Sequence, residues 1–318
     1  MPIFSVVMPL WNKEATVARA IRSVLAQTVQ DWELIVVDDG STDGSAAEVA
    51  RFDDPRIRLV HQTNAGVSAA RNRGIQEARA DWVAFLDADD EWLAGFLEHV
   101  VALQGRFTDC AVCATRYFYA FPGKGMRAAR ILGLDTSMSA QVLKDYFLVA
   151  AASAPPLWTS AVIVKRAVLE GIGGFPLGVI AGEDLLTWAR LAVRGPIAYD
   201  PEPLAIFWQP RRRWERPKRL PDAEDVVGKG LADLEESADP ARKGSLRQYR
   251  AHWHTMRASV YLQYGRPRES RVEINKARML RGWTLKLATM GLLSRLPGPV
   301  GRYVLGWRVR WAALRKVV

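Results

Sequence analysis

The chain has 318 residues, 49% of them apolar, enough to bury one large domain with an appendage or two domains. Net charge is +10, yet 18 of the 44 Lys and Arg and only two acids, Glu269 and Glu273, lie beyond residue 240, so the last 78 residues carry +16 against −6 before them. Two cysteines exclude a disulfide framework, no apolar run reaches a spanning length, and the first residues lack the basic and apolar regions of a secretion signal.

Residues 4–10 read as a buried strand, and 13–27 as a helix with Val17, Ala20, Ile21, Val24 and Leu25 on one face. A second strand over 32–37 ends in Asp38 and Asp39, and Ser41 or Thr42 can cap the next helix. A third strand (57–60) and helix (67–78) lead to a fourth strand (82–86). This alternation predicts an α/β fold: a Rossmann-like, mostly parallel sheet flanked by helices. All the strand ends then share one edge, where open α/β sheets bind ligands. Pro9 can end the first strand because no ladder donor is needed there, and Asn12 and Glu14 follow it. The fourth strand runs into Asp87, Asp89 and Asp90, three carboxylates that repel one another unless a cation lies among them. Oxygen ligands of this kind suit Mg²⁺ or Mn²⁺ held jointly with phosphates; the plainer alternative is an acidic turn capping a helix. After the third strand, Gly66 allows close backbone approach to a ligand, and Arg71, one turn into the helix, can meet a phosphate or form a surface ion pair.

Four stretches carry a resemblance: Val6-Val-Met-Pro-Leu-Trp-Asn12, Val36-Val-Asp-Asp-Gly-Ser-Thr-Asp43, Asn64-Ala-Gly-Val-Ser-Ala-Ala-Arg-Asn-Arg-Gly74 and Phe85-Leu-Asp-Ala-Asp-Asp90. In this order, on successive strand ends, they resemble family 2 glycosyltransferases of the GT-A fold. The likeness is close over the first 90 residues and continues to about residue 200. It implies a nucleoside-diphosphate sugar, with uracil the expected base. Pro9, Asn12 and Glu14 would line the nucleoside pocket, Asp39 would contact the base with Asp38 in support, and Arg71 would lie near base or diphosphate. Asn64, Gly66 and Ala88 complete the nucleotide-sugar set. Asp87 would contact the ribose, and Asp89, with Asp87, would hold Mn²⁺ or Mg²⁺; Asp90 would support them or cap the helix that follows.

Further on, 94–104 reads as a helix and 110–119 as a strand, with Cys110 and Cys113 on opposite faces in buried structural roles. Residues 121–136, rich in Gly, Arg and Pro, read as a loop over the cleft on the acceptor side or else as a disordered insertion, 139–152 as a helix and 158–164 as a strand. Trp158 is either a sugar-stacking platform or core. Gly173-Gly-Phe-Pro176 precedes Gly182-Glu-Asp184, where acids suit a helix N-terminus. The resemblance makes Asp184 the general base and Glu183 a positioning or acceptor residue; one base and direct attack imply inversion. Residues 197–199 and 204–208 read as a final β pair. Gln209 and Trp214 stand one residue too far apart for the Gln-x-x-Arg-Trp pattern of processive synthases, so non-processive transfer is expected.

The expected domains are 1–215 (nucleotide half 1–90, acceptor half 91–215), a linker or surface helix over 216–244, and a basic amphipathic helical region over 245–318 with a hairpin turn at Gly265. His252 and His254 have no acid at helical spacing, so no metal role is expected of them. Trp283, Leu287, Met290, Leu293 and Leu296 form one apolar stripe, and Val300, Tyr303, Val304, Trp307, Trp311, Leu314 and Val318 another. Such stripes beside many Arg suit an anionic bilayer, or else pack within the protein; no nucleic-acid-binding motif accompanies the charge. The expectation is a cytoplasmic protein, peripheral at the inner face of the membrane through 283–318, with a glycan or lipid-linked acceptor. A sugar nucleotidyltransferase is disfavoured because Leu10-Trp-Asn-Lys-Glu14 lacks glycine, and a non-catalytic adaptor because Asp39, Asp87, Asp89 and Asp184 are all present.

Overall fold

The computed structural model describes residues 2–135, 139–209, 219–221 and 224–296, and the chain divides into two compact units after residue 217. In the first unit β1 (Phe4–Leu10), α1 (Val17–Leu25), β2 (Trp32–Asp39), α2 (Ser45–Ala50), β3 (Ile57–Gln62), α3 (Val67–Glu77) and β4 (Trp82–Phe85) alternate as the pattern predicts. These strands pair in parallel, in the order β3-β2-β1-β4. Val6, Val7, Leu34, Ile35, Val36, Val83 and Phe85 have no exposed surface, as strands covered on both faces require. α3 lies so close to β1 that a Cβ on Gly74 would sit 2.2 Å from a methyl of Val7.

The second half of this unit adds β5 (Glu91–Trp92), α4 (Phe96–Arg106), β6 (Val112–Phe121), β7 (Gly125–Ala128), β8 (Gln141–Val142), α5 (Tyr146–Ala152), β9 (Val162–Lys165), α6 (Arg166–Gly171), α7 (Glu183–Arg194) and β10 (Ile197–Trp208). The sheet runs β3-β2-β1-β4-β9-β6-β10-β5, with β7 beside β6 and β8 beside β10. Here the pairing is mixed: β6 and β10 are parallel, while β9 runs antiparallel to both β4 and β6, and β5, β7 and β8 are antiparallel edge pieces. The parallel expectation holds only where crossover helices separate the strands.

Several local readings are corrected. The expected loop 121–136 contains β7, which turns back on β6 through residues 122–124; its outer face is exposed, so no hydrophobic alternation marked it. The expected helix 139–152 starts only at Tyr146, where the Asp145 carboxylate accepts from the Phe147 and Leu148 N–H groups, and β8 precedes it. The strand expected over 158–164 opens with a 3-10 turn, Thr159–Ala161. The two final strands are one, β10, whose register against β6 shifts around Pro201 and Pro203, residues with no ladder donor. Cys113 lies in β6 and Cys110 just before it; both are buried free thiols, and burial pushes Cys113 up to about 12.

The second unit holds α8 (Val226–Ser237), α9 (Pro240–Gln263), α10 (Pro267–Arg281) and α11 (Leu285–Leu293). α8 falls in the segment read as linker or surface helix; it buries Val227 and Leu231 and is capped by Asp225. α9 and α10 meet at a turn with Gly265 at φ 71°, and Ala258, Leu262, Ile274, Ala277, Leu287 and Met290 form their common core with α11. The reasoning about His254 is overturned. Tertiary packing supplies the acids that helical spacing did not: Glu273 Oε2 lies 2.7 Å and Asp225 Oδ2 3.8 Å from His254 Nδ1. Arg257 sits in the same cluster, 3.5 Å from Asp225 and 3.4 Å from Glu273, and Lys276 bridges Glu273 at 3.1 Å, so protein cations already balance these carboxylates. The apolar stripe beyond residue 296 lies outside the described residues.

Candidate active site

The C-terminal ends of β1, β2, β3 and β4 carry the predicted nucleotide residues, and side chains stitch their loops together. After half-buried Pro9, Asn12 takes a left-handed φ of 51°; its Oδ1 accepts from the Thr42 N–H at 2.8 Å, and its own N–H donates to Ser41 Oγ at 3.1 Å. Glu14 Oε2 accepts from the Gly44 N–H at 3.1 Å. Asp38 accepts from the Ser41 N–H and pairs with His61 Nδ1, each at 3.0 Å. Asp39, 3% exposed, accepts from the backbone of Ala65 at 2.8 Å and Gly66 at 2.9 Å and from Gln62 Nε2 at 2.8 Å. Asn64 returns a bond to the Asp39 carbonyl at 2.9 Å. Asp39 therefore shapes the β3–α3 loop, in addition to the base contact that the resemblance implies for it.

The two halves of the unit meet at Arg71. It is buried on α3, beneath the sheet edge, where its Nη2 donates to Asp87 Oδ1 at 2.9 Å and its Nη1 to Glu183 Oε1 at 3.2 Å. Its plane also faces the Phe175 ring at 5.1 Å. Burial opposes the guanidinium charge, but Asp87 and Glu183 more than offset this and raise its pKa. The reading of Arg71 as a surface ion pair is overturned by this buried placement. Beside Glu183, half-buried Asp184 opens α7 and accepts from the Leu185 N–H at 2.8 Å. Burial first, and then the Glu183 charge, push its carboxyl up to about 7, while Arg71 pulls it down. A carboxyl poised near neutrality is suited to general-base work.

Asp89 is the most accessible of the three clustered acids. Its side chain is 42% exposed, and Lys13 Nζ lies 2.5 Å from its Oδ2. Asp87 is turned to Arg71 instead. Asp89, whose side chain now meets the flexible Lys13 ammonium, is the carboxylate that would hold a Mn²⁺ or Mg²⁺ ion, leaving room for phosphate and water oxygens to share it. Ala88, between them, is buried. Asp90 caps no helix. It is buried, accepting from Ser160 Oγ at 2.6 Å, Trp158 Nε1 at 3.1 Å and the Trp208 N–H at 3.3 Å. Burial, then the charges of Asp89 and Asp87, raise its pKa well above the ordinary aspartate value.

Sequence reasoning missed the residues that hold these acids. Ser160 Oγ also accepts from the Asp87 N–H at 3.1 Å, tying β4 to the turn before β9. Arg19 donates to the Asp89 carbonyl at 2.7 Å and faces the Trp208 ring at 4.4 Å. Asn72 clamps Phe175 through both its N–H and its carbonyl, each at 2.8 Å, and so anchors the Gly173-Gly174 turn. Trp158, half-buried, stacks on Phe207 with centroids 4.0 Å apart, so one face is packing and its N–H serves Asp90. Gln209, just after β10, is buried, and residues 210–218, Trp214 among them, lie outside the described residues.

Known proteins share both the sequence motifs and the fold. A family model described as "Glycosyl transferase family 2" matches residues 5–171. WfgD of Escherichia coli, named UDP-Glc:alpha-D-GlcNAc-diphosphoundecaprenol beta-1,3-glucosyltransferase, is 41% identical over 102 residues, 32% of this chain and 40% of that protein. TuaG of Bacillus subtilis, named for teichuronic acid biosynthesis, is 31% identical over 202 residues, 62% of this chain and 75% of that protein. The chain therefore spans about two fifths of the first relative and three quarters of the second. TarS of S. aureus superposes with a TM-score of 0.60 at 18% identity, covering 88% of this chain and 90% of that one. The mannosyltransferase PcManGT from Pyrobaculum calidifontis, solved with GDP-Man and Mn²⁺, gives 0.56 at 20% identity over 98% and 86%. At such identities the superpositions establish the fold, the GT-A arrangement of a mixed sheet between helices. The family match covers more than half of the residues, and its motifs sit on four neighbouring strand ends: this chain belongs to glycosyltransferase family 2.

Proposed function

We propose that the protein transfers one sugar at a time from a nucleoside-diphosphate donor, with UDP the expected nucleotide, to a hydroxyl of a glycan or lipid-linked acceptor, inverting the anomeric carbon. The observation that carries this reading is Arg71. One buried guanidinium ties Asp87, at the nucleotide strand ends, to Glu183, whose neighbour Asp184 is poised near neutrality. In the reaction the acceptor oxygen attacks the anomeric carbon and Asp184 takes its proton. The bond from that carbon to the diphosphate oxygen breaks, and the diphosphate leaves with the electron pair. Asp39, Asn64 and Gly66 shape the nucleoside side, and Glu183, fixed by Arg71, positions Asp184 or the acceptor. A Mn²⁺ or Mg²⁺ ion at Asp89 would neutralise charge developing on the departing diphosphate. Support for a nucleotide-sugar donor comes from the solved complex of TarS with UDP-GlcNAc and from the UDP-Glc in the name of WfgD. The acceptor named for WfgD, together with the basic second unit, supports a peripheral position at the inner face of the cytoplasmic membrane; no described helix is long and apolar enough to cross one.

A thermal-shift screen of UDP-, GDP- and dTDP-sugars, with and without Mn²⁺ or Mg²⁺, tests the donor assignment. The expected result is metal-dependent stabilisation by a UDP-sugar, lost in Asp89→Ala. Stabilisation by another nucleotide sugar would correct the base. Silence toward every donor would overturn the reading.

A further inference from the structure

The second unit exposes a surface that its own fold does not use. α11 is apolar on two sides: Leu287, Met290 and Leu293 are buried, while Leu285 and Leu292 are 86% and 67% exposed. Trp283, 61% exposed, stands at the α10–α11 connection, with its ring near Gly291 of α11 and under Arg278 at 5.7 Å. Among the described residues nothing covers this second apolar face of α11, which leaves it open to a partner.

The charge around this corner is of one sign. Between Ile274 and Leu296 there are five Lys and Arg and no acid. The two acids of α10 are committed, Glu269 to Arg266 and Glu273 to the His254 cluster. Arg281 and Lys286 have no acidic partner among the described residues. Arg281 lines a groove with Gly244, Arg247, Gln248 and Leu280, in which Arg247 is already paired with Glu235 at 2.8 Å. His252, one turn beyond Gln248, is pushed down to about 4 by burial and then by Lys286 and Arg281; burial and then Arg281 likewise lower Lys286. His252, Arg281 and Lys286 thus crowd together with no acid paired to them among the described residues.

We infer that the α10–α11 corner docks on an anionic phospholipid bilayer, with Arg281 and Lys286 meeting lipid phosphates and Trp283, Leu285 and Leu292 entering the interfacial layer. The two observations are independent and point to the same partner. Exposed leucines and a tryptophan need an apolar layer, and unpaired cations need a negative surface beside it. A second copy of this chain would bring the same positive face and be repelled. This inference sharpens the peripheral placement proposed above and rests on it, but not on the donor assignment.

The test is flotation of the full chain with phosphatidylglycerol or phosphatidylcholine vesicles, alongside the double variants Leu285→Glu/Leu292→Glu and Arg281→Glu/Lys286→Glu. All four side chains are peripheral, and donor-induced thermal shift reports whether each variant stays folded. The expected result is salt-sensitive binding to phosphatidylglycerol only, weakened roughly tenfold or more by either double variant, with donor response retained. Equal binding to both lipids, or variants that bind like the parent, would overturn the inference. So would stabilisation by inorganic phosphate without vesicle binding, or self-association abolished by the leucine variant without vesicle binding. Vesicle binding by a protein that ignores every donor would instead count against the donor assignment alone.

Discussion

Asp90 joins three parts of the candidate site through one buried carboxyl. Its two oxygens receive Ser160, Trp158 and the Trp208 backbone, and burial beside Asp89 and Asp87 disfavours its charge. Asp90→Asn keeps one acceptor oxygen, for Ser160 and Trp158, and gives up only the 3.3 Å contact from the Trp208 N–H, so it is expected to cost less than removal of the side chain. Asp90→Ala leaves buried donors unmet and is expected to cost about 1–3 kcal/mol, read by urea unfolding. A loss in Asp90→Ala no larger than in Asp90→Asn would show that the knot is incidental. At this scale the sequence displays the acids but not their holders. Ser160, Lys13 and Asn72 reach partners 73, 76 and 103 positions away, and nothing in a local pattern links residues so far apart.

Among the elements, α3 does the joining. Its Arg71 binds Asp87 and Glu183, and its Asn72 binds the backbone of Phe175, which packs edge-on against Phe85 at 5.2 Å and Trp188 at 5.5 Å. The turn leading into Phe175 needs glycine. Gly174 has φ 66°, and a Cβ there would sit 2.4 Å from Asn72 Oδ1. Gly174→Ala is expected to destabilise by about 1–3 kcal/mol and to lower the Tm, because it adds strain and dislodges the Asn72 clamp. An unchanged Tm would mean that the turn relaxes freely. β1, β2 and β4 were legible because each is a nearly continuous buried run, and β3, only half-buried, because a short apolar stretch stands between two helices. β5, β7 and β8 were not: each has two to four residues, and edge pieces so short carry no period.

Across the molecule, division of labour follows the charge. The acidic first 240 residues contain the strand-end motifs and Asp184, and the basic remainder contains the helices with the uncovered apolar face. The charge asymmetry and the strand-end motifs were both legible in sequence. What was not legible is the link between Asp87 and Glu183, since a buried guanidinium looks like any surface arginine until the fold encloses it. The central claim is that Asp184 is the base, and its pKa sets the sign of the pH dependence. The folded value, about 7, lies above the ordinary aspartate value of 3.8, so proton binding favours the fold below 3.8, and that contribution fades as pH rises through 7. Activity must do the reverse and rise as the carboxyl deprotonates.

The measurement that tests this most directly is nucleoside diphosphate release across pH 5.5 to 9 by the parent protein and by Asp184→Asn, with donor-induced thermal shift followed in both. The account predicts a parent rate that climbs with a midpoint near 7, and a variant slowed by about 10²–10⁴-fold at every pH that still responds to donor and is no less stable at pH 8. A variant that turns over like the parent, or a parent rate indifferent to pH across this range, would contradict it.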